Sequence, residues 1–175
     1  MKAFLKFSGL IAAVLAIVAI ILMMATPSLS AVVNDKTYNI SGIAGLFGAD
    51  VILSGNGWSV NLGHVNAGWT ATVAWILALV ATVALLVVTI LPLLKINALD
   101  KFAGLIALCA ACCLLVGGIL MFFTQPAMNA ANATKLVSEP YKDYGLGAGY
   151  VVAAILNIVA AACAACPAVM KLLKK

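Results

Sequence analysis

The chain alternates between four long apolar runs and a few polar joints. Residues 7–26, 69–94, 102–124 and 145–170 contain no charged side chain. Each is long enough for an α-helix to cross a bilayer, which takes about 20 residues. Residues 95–101 form a very short link, so the helices on either side of it must run antiparallel and side by side. Two longer joints remain, residues 27–68 and 125–144. The pattern predicts an all-α membrane protein built as one domain, residues 1–175: an antiparallel bundle of four transmembrane helices. Trp69 and Trp75 stand in the first turns of the second span, where an aromatic belt would sit. Pro92 helps to end that span. The start of the chain resembles a secretory signal in having a basic head and a small-x-small site at Ser28-Leu29-Ser30. Its apolar core is longer than the roughly 7–15 residues of a signal, so the expectation is an uncleaved first helix that ends near Pro27.

The joint at 27–68 is dense in turn residues: Gly42, Gly45, Gly48, Gly55, Asn56, Gly57 and Gly63. Between them lie short β-prone runs. Val51 to Ser54, then Gly55-Asn56-Gly57, then Trp58 to Leu62 predicts a β-hairpin, because Gly and Asn supply the positive φ of a tight turn. Trp58, Val60 and Leu62 alternate with Ser59 and Asn61, so one face of that strand is apolar. An isolated hairpin is marginal in water. The small sheet therefore needs cover, either from its own helices or from another copy. Ile52, Leu53, Trp58, Val60 and Leu62 are the candidate contact set for a second copy.

Composition agrees with a membrane location: 66% of the residues are apolar, 9% are charged and the mean hydropathy is +1.20. The net charge of +5 comes from ten lysines and no arginine. These lysines flank the spans, so topology explains them and a nucleic-acid partner is not expected. Lys2, Lys6, Lys95, Lys101, Lys171, Lys174 and Lys175 lie on one side; Lys36, Lys135 and Lys142 lie on the other with four of the five acids. The bias predicts cytoplasmic termini in a plasma or cytoplasmic membrane, with 27–68 and 125–144 outside and 95–101 inside.

Small residues recur along the helices. Gly149, Ala153, Asn157, Ala161 and Ala165 form a stripe every four residues in the fourth span, and similar stripes begin at Gly9, Ala71 and Gly104. Lipid tails are as apolar as leucine, so helices in a bilayer gain by close backbone approach, and the stripes predict a tight left-handed bundle. Asn157 is the one strongly polar side chain deep in a span, and an interhelical hydrogen bond is its plainest role.

Candidate chemistry is sparse. The five cysteines are Cys109, Cys112 and Cys113 in the third span and Cys163 and Cys166 in the fourth; Cys109 and Cys163, each eight residues from a flanking lysine, sit ~12 Å from the lysine-rich flank. A thiolate is disfavoured in hydrocarbon, which favours packing over redox or metal chemistry, with lipidation as a further option. His64 has no clustered carboxylates. Asn39-Ile40-Ser41 and Asn132-Ala133-Thr134 are glycosylation sequons, both on the side read as outer. No catalytic, cofactor-binding or metal-binding residues are assigned, and an enzyme is not expected.

The plan of a short head, a first span, a long β-prone outer loop, a short inner turn, a smaller outer loop and a basic tail resembles the claudin-type tetraspans. Gly57-Trp58 is similar to part of that family's Gly-Leu-Trp motif, whereas its two outer-loop cysteines are absent. The resemblance implies a small outer sheet and copies that associate side by side and across cells. The expected function is a self-associating tetraspan forming a structural, adhesion-type or barrier assembly at the cell surface. An oligomeric pore is the alternative, and a membrane thiol redox enzyme is a further one. The expected partners are membrane lipid and further copies of the chain, with a different membrane partner left open.

Overall fold

Among the described residues four helices are long and apolar enough to cross a membrane, and the chain is a four-span integral membrane protein. Their apolar stretches are Phe7–Ala25, Trp69–Pro92, Ala103–Met121 and Ala148–Cys166. The computed structural model describes residues 2–33, 36–55, 58–94, 101–136 and 138–173. In chain order the elements are α1 (Lys2–Ala25), β1 (Pro27–Val33), β2 (Lys36–Ser41), α2 (Gly42–Phe47), β3 (Ala49–Gly55) and β4 (Trp58–Val65). They continue with α3 (Trp69–Leu93), α4 (Ala103–Met121), α5 (Thr124–Asn132), β5 (Gly145–Leu146) and α6 (Ala148–Leu173).

The spans form a four-membered ring. Both α1 and α4 pack against α3 and α6. The centre is lined with alanine: Ala12, Ala13 and Ala16 of α1 meet Ala78 and Ala81 of α3, Ala110 and Ala111 of α4, and Ala160, Ala161 and Ala164 of α6. Such side chains let backbones approach and gain dispersion energy that lipid cannot match. Gly117 and Gly118 serve two neighbours at once. A Cβ on Gly117 would lie 3.2 Å from the Ala74 carbonyl, and one on Gly118 would lie 3.0 Å from the Ala154 carbonyl. This pair sets α4 close to α3 and to α6.

Among the described residues the β structure gathers at one end of the bundle, where α1 ends and α3 begins. One antiparallel sheet has the order β2-β1-β5 and a separate two-stranded sheet is β3-β4. β3 and β4 pair through Leu53↔Val60 and Gly55↔Trp58, on either side of residues 56 and 57. The register slips between Asp50↔His64 and Ile52↔Asn61, leaving one extra residue on β4. Gly63 sits in this bulge at φ 73°, a conformation glycine adopts without strain. The bulge moves the apolar alternation from even to odd positions, so Val65 is buried while His64 is exposed.

Several boundaries differ from the sequence expectation. The first helix ends at Ala25, close to the expected Pro27, whereas Ser28-Leu29-Ser30, read as a small-x-small site, is part of β1, the central strand of its sheet. Pro27 opens that strand, a position where its missing N–H costs no ladder bond. The third helix stops at Met121, and residues read as a polar loop form α5 instead. Pro126 is in the first turn of α5, where N–H groups have no intrahelical partner, so it does not break the helix. Gly145 and Leu146 pair with Ser30 and Leu29 of β1, and the fourth helix begins only at Ala148.

Candidate functional site at the sheet end of the bundle

The first helix ends where Thr26 turns back on it, its N–H and its hydroxyl both donating to the Leu22 carbonyl at 3.0 and 2.6 Å. β1 then crosses the bundle end. The buried Ser28 hydroxyl faces the carbonyls of Ile40 and Ser41 at 3.2 and 3.1 Å, fastening β1 to β2. Ser41 caps α2 by accepting from the Ala44 N–H at 3.2 Å. Gly48, at φ 74°, ends α2 by donating to the Ala44 carbonyl.

α2 is wedged into the bundle. It packs against both α1 and α3. Gly42, Ala44, Gly45 and Leu46 are buried. A Cβ on Gly42 would run into the Met23 and Thr26 carbonyls, and one on Gly45 would lie 2.5 Å from Ser28 Cβ. Three hydrogen bonds tie α2 to the spans. The Thr72 hydroxyl donates to the Leu46 carbonyl at 2.5 Å, the Gly68 N–H to the Gly45 carbonyl at 3.0 Å, and the fully buried Tyr150 hydroxyl to the Gly42 carbonyl at 3.3 Å. Phe47 meets Trp75 edge to face, with ring centroids 5.2 Å apart.

A second set of bonds closes the module across 66 residues of sequence. The Asn66 N–H donates to Asn132 Oδ1 at 2.7 Å, Asn132 Nδ2 donates to the Asn66 carbonyl at 3.0 Å, and Asn66 Nδ2 donates to the Ala131 carbonyl at 3.1 Å. This clasp ties the end of β4 to the end of α5. One turn earlier, Asn129 Oδ1 accepts from the Tyr141 N–H at 2.6 Å and Gln125 Nε2 donates to the Tyr141 carbonyl at 2.9 Å. Tyr141 stacks edge to face on Tyr144. Burial, and then the neighbouring Tyr144, raises the Tyr141 phenol; burial, and then Tyr38, raises that of Tyr144. Both are neutral at physiological pH and act as packing groups. Beneath them Leu29, Ile40, Ala44, Val65, Met128 and Tyr141 form one apolar core.

Ile52, Leu53, Trp58, Val60 and Leu62 lie on the paired strands β3 and β4. Their side chains fall outside the described residues. In α6, Ala153, Asn157 and Ala161 are buried, while Gly149 and Ala165 are half-buried. Gly149 faces Thr26, which a Cβ would strike.

Asn157 Nδ2 reaches the Met121 sulfur at 3.7 Å, and its Oδ1 has no protein partner although the residue is fully buried. A sulfur acceptor and an orphaned carbonyl offset little of the desolvation of an amide. Asn157→Leu is therefore expected to leave stability within about 1 kcal/mol of the parent, or to raise it, in an unfolding titration in bicelles.

The cysteines are all free. Cys109, Cys112 and Cys166 are exposed on the bundle surface and Cys113 and Cys163 are half-buried against the alanine core. Among the described residues, no three of His, Cys, Asp and Glu come together as a metal site. His64 Nδ1 lies 3.1 Å from Asp50 Oδ1, but both side chains are exposed. Such a pair contributes at most about 1 kcal/mol.

Of the residues that organise this end, Asn66 and Tyr150 were not singled out in the sequence, and Ser28 drew notice only as part of a small-x-small site. Asn132 carried a signal as a sequon, but nothing local pointed to Asn66. No family model, curated protein or solved structure matches the chain.

Proposed function

We propose that the protein is a self-associating tetraspan, with its sheet end outside the cell and its termini in the cytoplasm, and that copies join through β3-β4 into a structural, adhesion-type or barrier assembly. The observation that carries this reading is the open state of that hairpin. Among the described residues β3 and β4 pair with each other and with no other strand, so each has one backbone edge without a strand partner there. Unpaired N–H and C=O groups on a strand edge are a template for another strand. The hairpin rises from a base that is clasped to the bundle by Asn66 and Asn132, so a partner strand would meet a fixed edge. In the sequence seven of the ten lysines flank the span ends away from the sheets, and the positive-inside rule supports reading that side as cytoplasmic. The shared plan of four spans and a small sheet after the first helix is what likens the chain to claudins.

A pore along the axis of one bundle is disfavoured, because alanine and leucine side chains fill that axis. A thiol enzyme is disfavoured by the exposure of Cys109, Cys112 and Cys166 toward lipid, away from the sheet end.

Trp58 is the residue to change. A central aromatic at an interface contributes about 2 kcal/mol or more, which is about 30-fold in association. Trp58→Ala is expected to lower self-association by that factor in a fluorescence-transfer titration in liposomes, with insertion unchanged. Unaltered association would remove the hairpin from the interface.

A further inference from the structure

The two sequons stand in opposite structural states. Asn39 lies on β2, an outer strand of its sheet, between the exposed Ser41 and the half-buried Tyr38. The register sets Asn39 opposite Ser30 and Ile40 opposite Leu29. Ile40 and Leu29 are fully buried in the core of the sheet end. Successive side chains of a strand point to opposite faces, so Asn39 is on the face turned away from that core. It is exposed, and among the described residues its amide makes no hydrogen bond that ties the fold together. Ser41, the third residue of this sequon, uses its Oγ as an acceptor for the Ala44 N–H, which leaves its own O–H free to donate.

Asn132 is different. Its amide nitrogen has two protons and both are committed: Nδ2 donates to the Asn66 carbonyl at 3.0 Å and to the Met128 carbonyl at 2.8 Å. Its Oδ1 accepts from the Asn66 N–H. N-glycosylation replaces one of those protons with carbon. The amide nitrogen attacks the anomeric carbon of a lipid-pyrophosphate-linked oligosaccharide; the new N–C bond forms as the C–O bond breaks. The lipid pyrophosphate leaves, and the amide proton passes to a base of the transferase. On Asn132 this chemistry would remove a bond of the clasp and put a sugar where the Asn66 or Met128 carbonyl now sits. On Asn39 it would remove nothing.

The geometry points to Asn39 as an acceptor site for an N-linked glycan, with Asn132 a sequon that the fold excludes from modification. The site rests on the sidedness proposed above, since the oligosaccharide is transferred on the outer or lumenal face of the membrane. A glycan on Asn39 would stand on the outward face of the three-stranded sheet, leaving the separate β3-β4 hairpin clear for pairing.

The test is translation of the full chain into microsomes that carry the transferase, followed by endoglycosidase treatment and electrophoresis. The expected result is one endoglycosidase-sensitive band shift, lost in Asn39→Gln and kept in Asn132→Gln. A shift kept in Asn39→Gln and lost in Asn132→Gln would overturn the assignment, as would two glycans on the parent chain. Two control chains separate this from the sidedness. One has an Asn-Gly-Thr insertion after Leu136, which is 96% exposed at the sheet end; the other has a sequon on a linker added after Lys175. If the first control is modified and the parent is not, the sheet end is lumenal and the Asn39 assignment is wrong. If only the second is modified, the sidedness is wrong and the site falls with it.

Discussion

Tyr150→Ala is expected to cost about 3–5 kcal/mol, the range for removing a fully buried aromatic. Tyr150 belongs to the buried cluster in which α6 meets α1, α2, α3 and α4, with Ala19 and Met23 of α1, Leu46 of α2, Ala71 and Ala74 of α3 and Met121 of α4. Its hydroxyl donates to the Gly42 carbonyl. Truncation would leave a cavity under α2, and the backbone cannot collapse into it because Gly42 and Gly45 already touch α1 and β1. Tyr150→Phe separates packing from the hydrogen bond. It keeps the ring and should cost only about 1 kcal/mol, the net value of one such bond. Unfolding titrations of both variants in bicelles, compared with the parent, measure the difference. Equal losses in the two would show that the hydroxyl, and not the ring, holds the sheet end.

Gly147→Ala is the second large effect. Gly147 joins β5 to α6, and its N–H donates to the Ser28 carbonyl at 2.9 Å. A Cβ there would run into the Pro27 carbonyl, with Ser28 C at 3.4 Å behind it. Every atom in the way is backbone, so relief requires β1 to move away from α6. Insertion of a methyl into such a contact costs about 1–3 kcal/mol, at the upper end where the neighbour is rigid. Gly145→Ala is the matched control. Its Cβ would meet only the Ser30 carbonyl, at an ordinary 3.8 Å. Hydrogen exchange at β1 should accelerate in the Gly147 variant and stay unchanged in the Gly145 variant. Protection retained in both would show that β1 is not held by this junction.

What the sequence made legible follows from the range of the interactions involved. The four spans were readable because each is a long run without charge, and bilayer thickness alone then demands a helix. The β3-β4 hairpin was readable because Gly55-Asn56-Gly57 sits between short apolar runs, a purely local signal. β1 was hidden because Pro27-Ser28-Leu29-Ser30 suits a helix end or a processing site equally well, and its strand state depends on β2 and on two residues of β5. α5 was hidden by Pro126, which reads as a terminator unless the start of a new helix is already known. The Asn66–Asn132 clasp and the Tyr150–Gly42 bond join residues 66 and 108 positions apart. No periodicity or spacing announces such pairs. The even-odd change in β4 belongs to the same group, because a bulge at Gly63 can be told from a regular strand only once its partner strand is placed.

Copies of this chain are proposed to associate through the sheet end. The most direct test of that association is the native mass of the parent chain, first in mild detergent and then in lipid nanodiscs large enough for several copies. The account predicts a discrete oligomer whose mass is a multiple of 17.9 kDa after detergent or lipid is subtracted. A chain that stays monomeric in both, at every concentration reached, would contradict it.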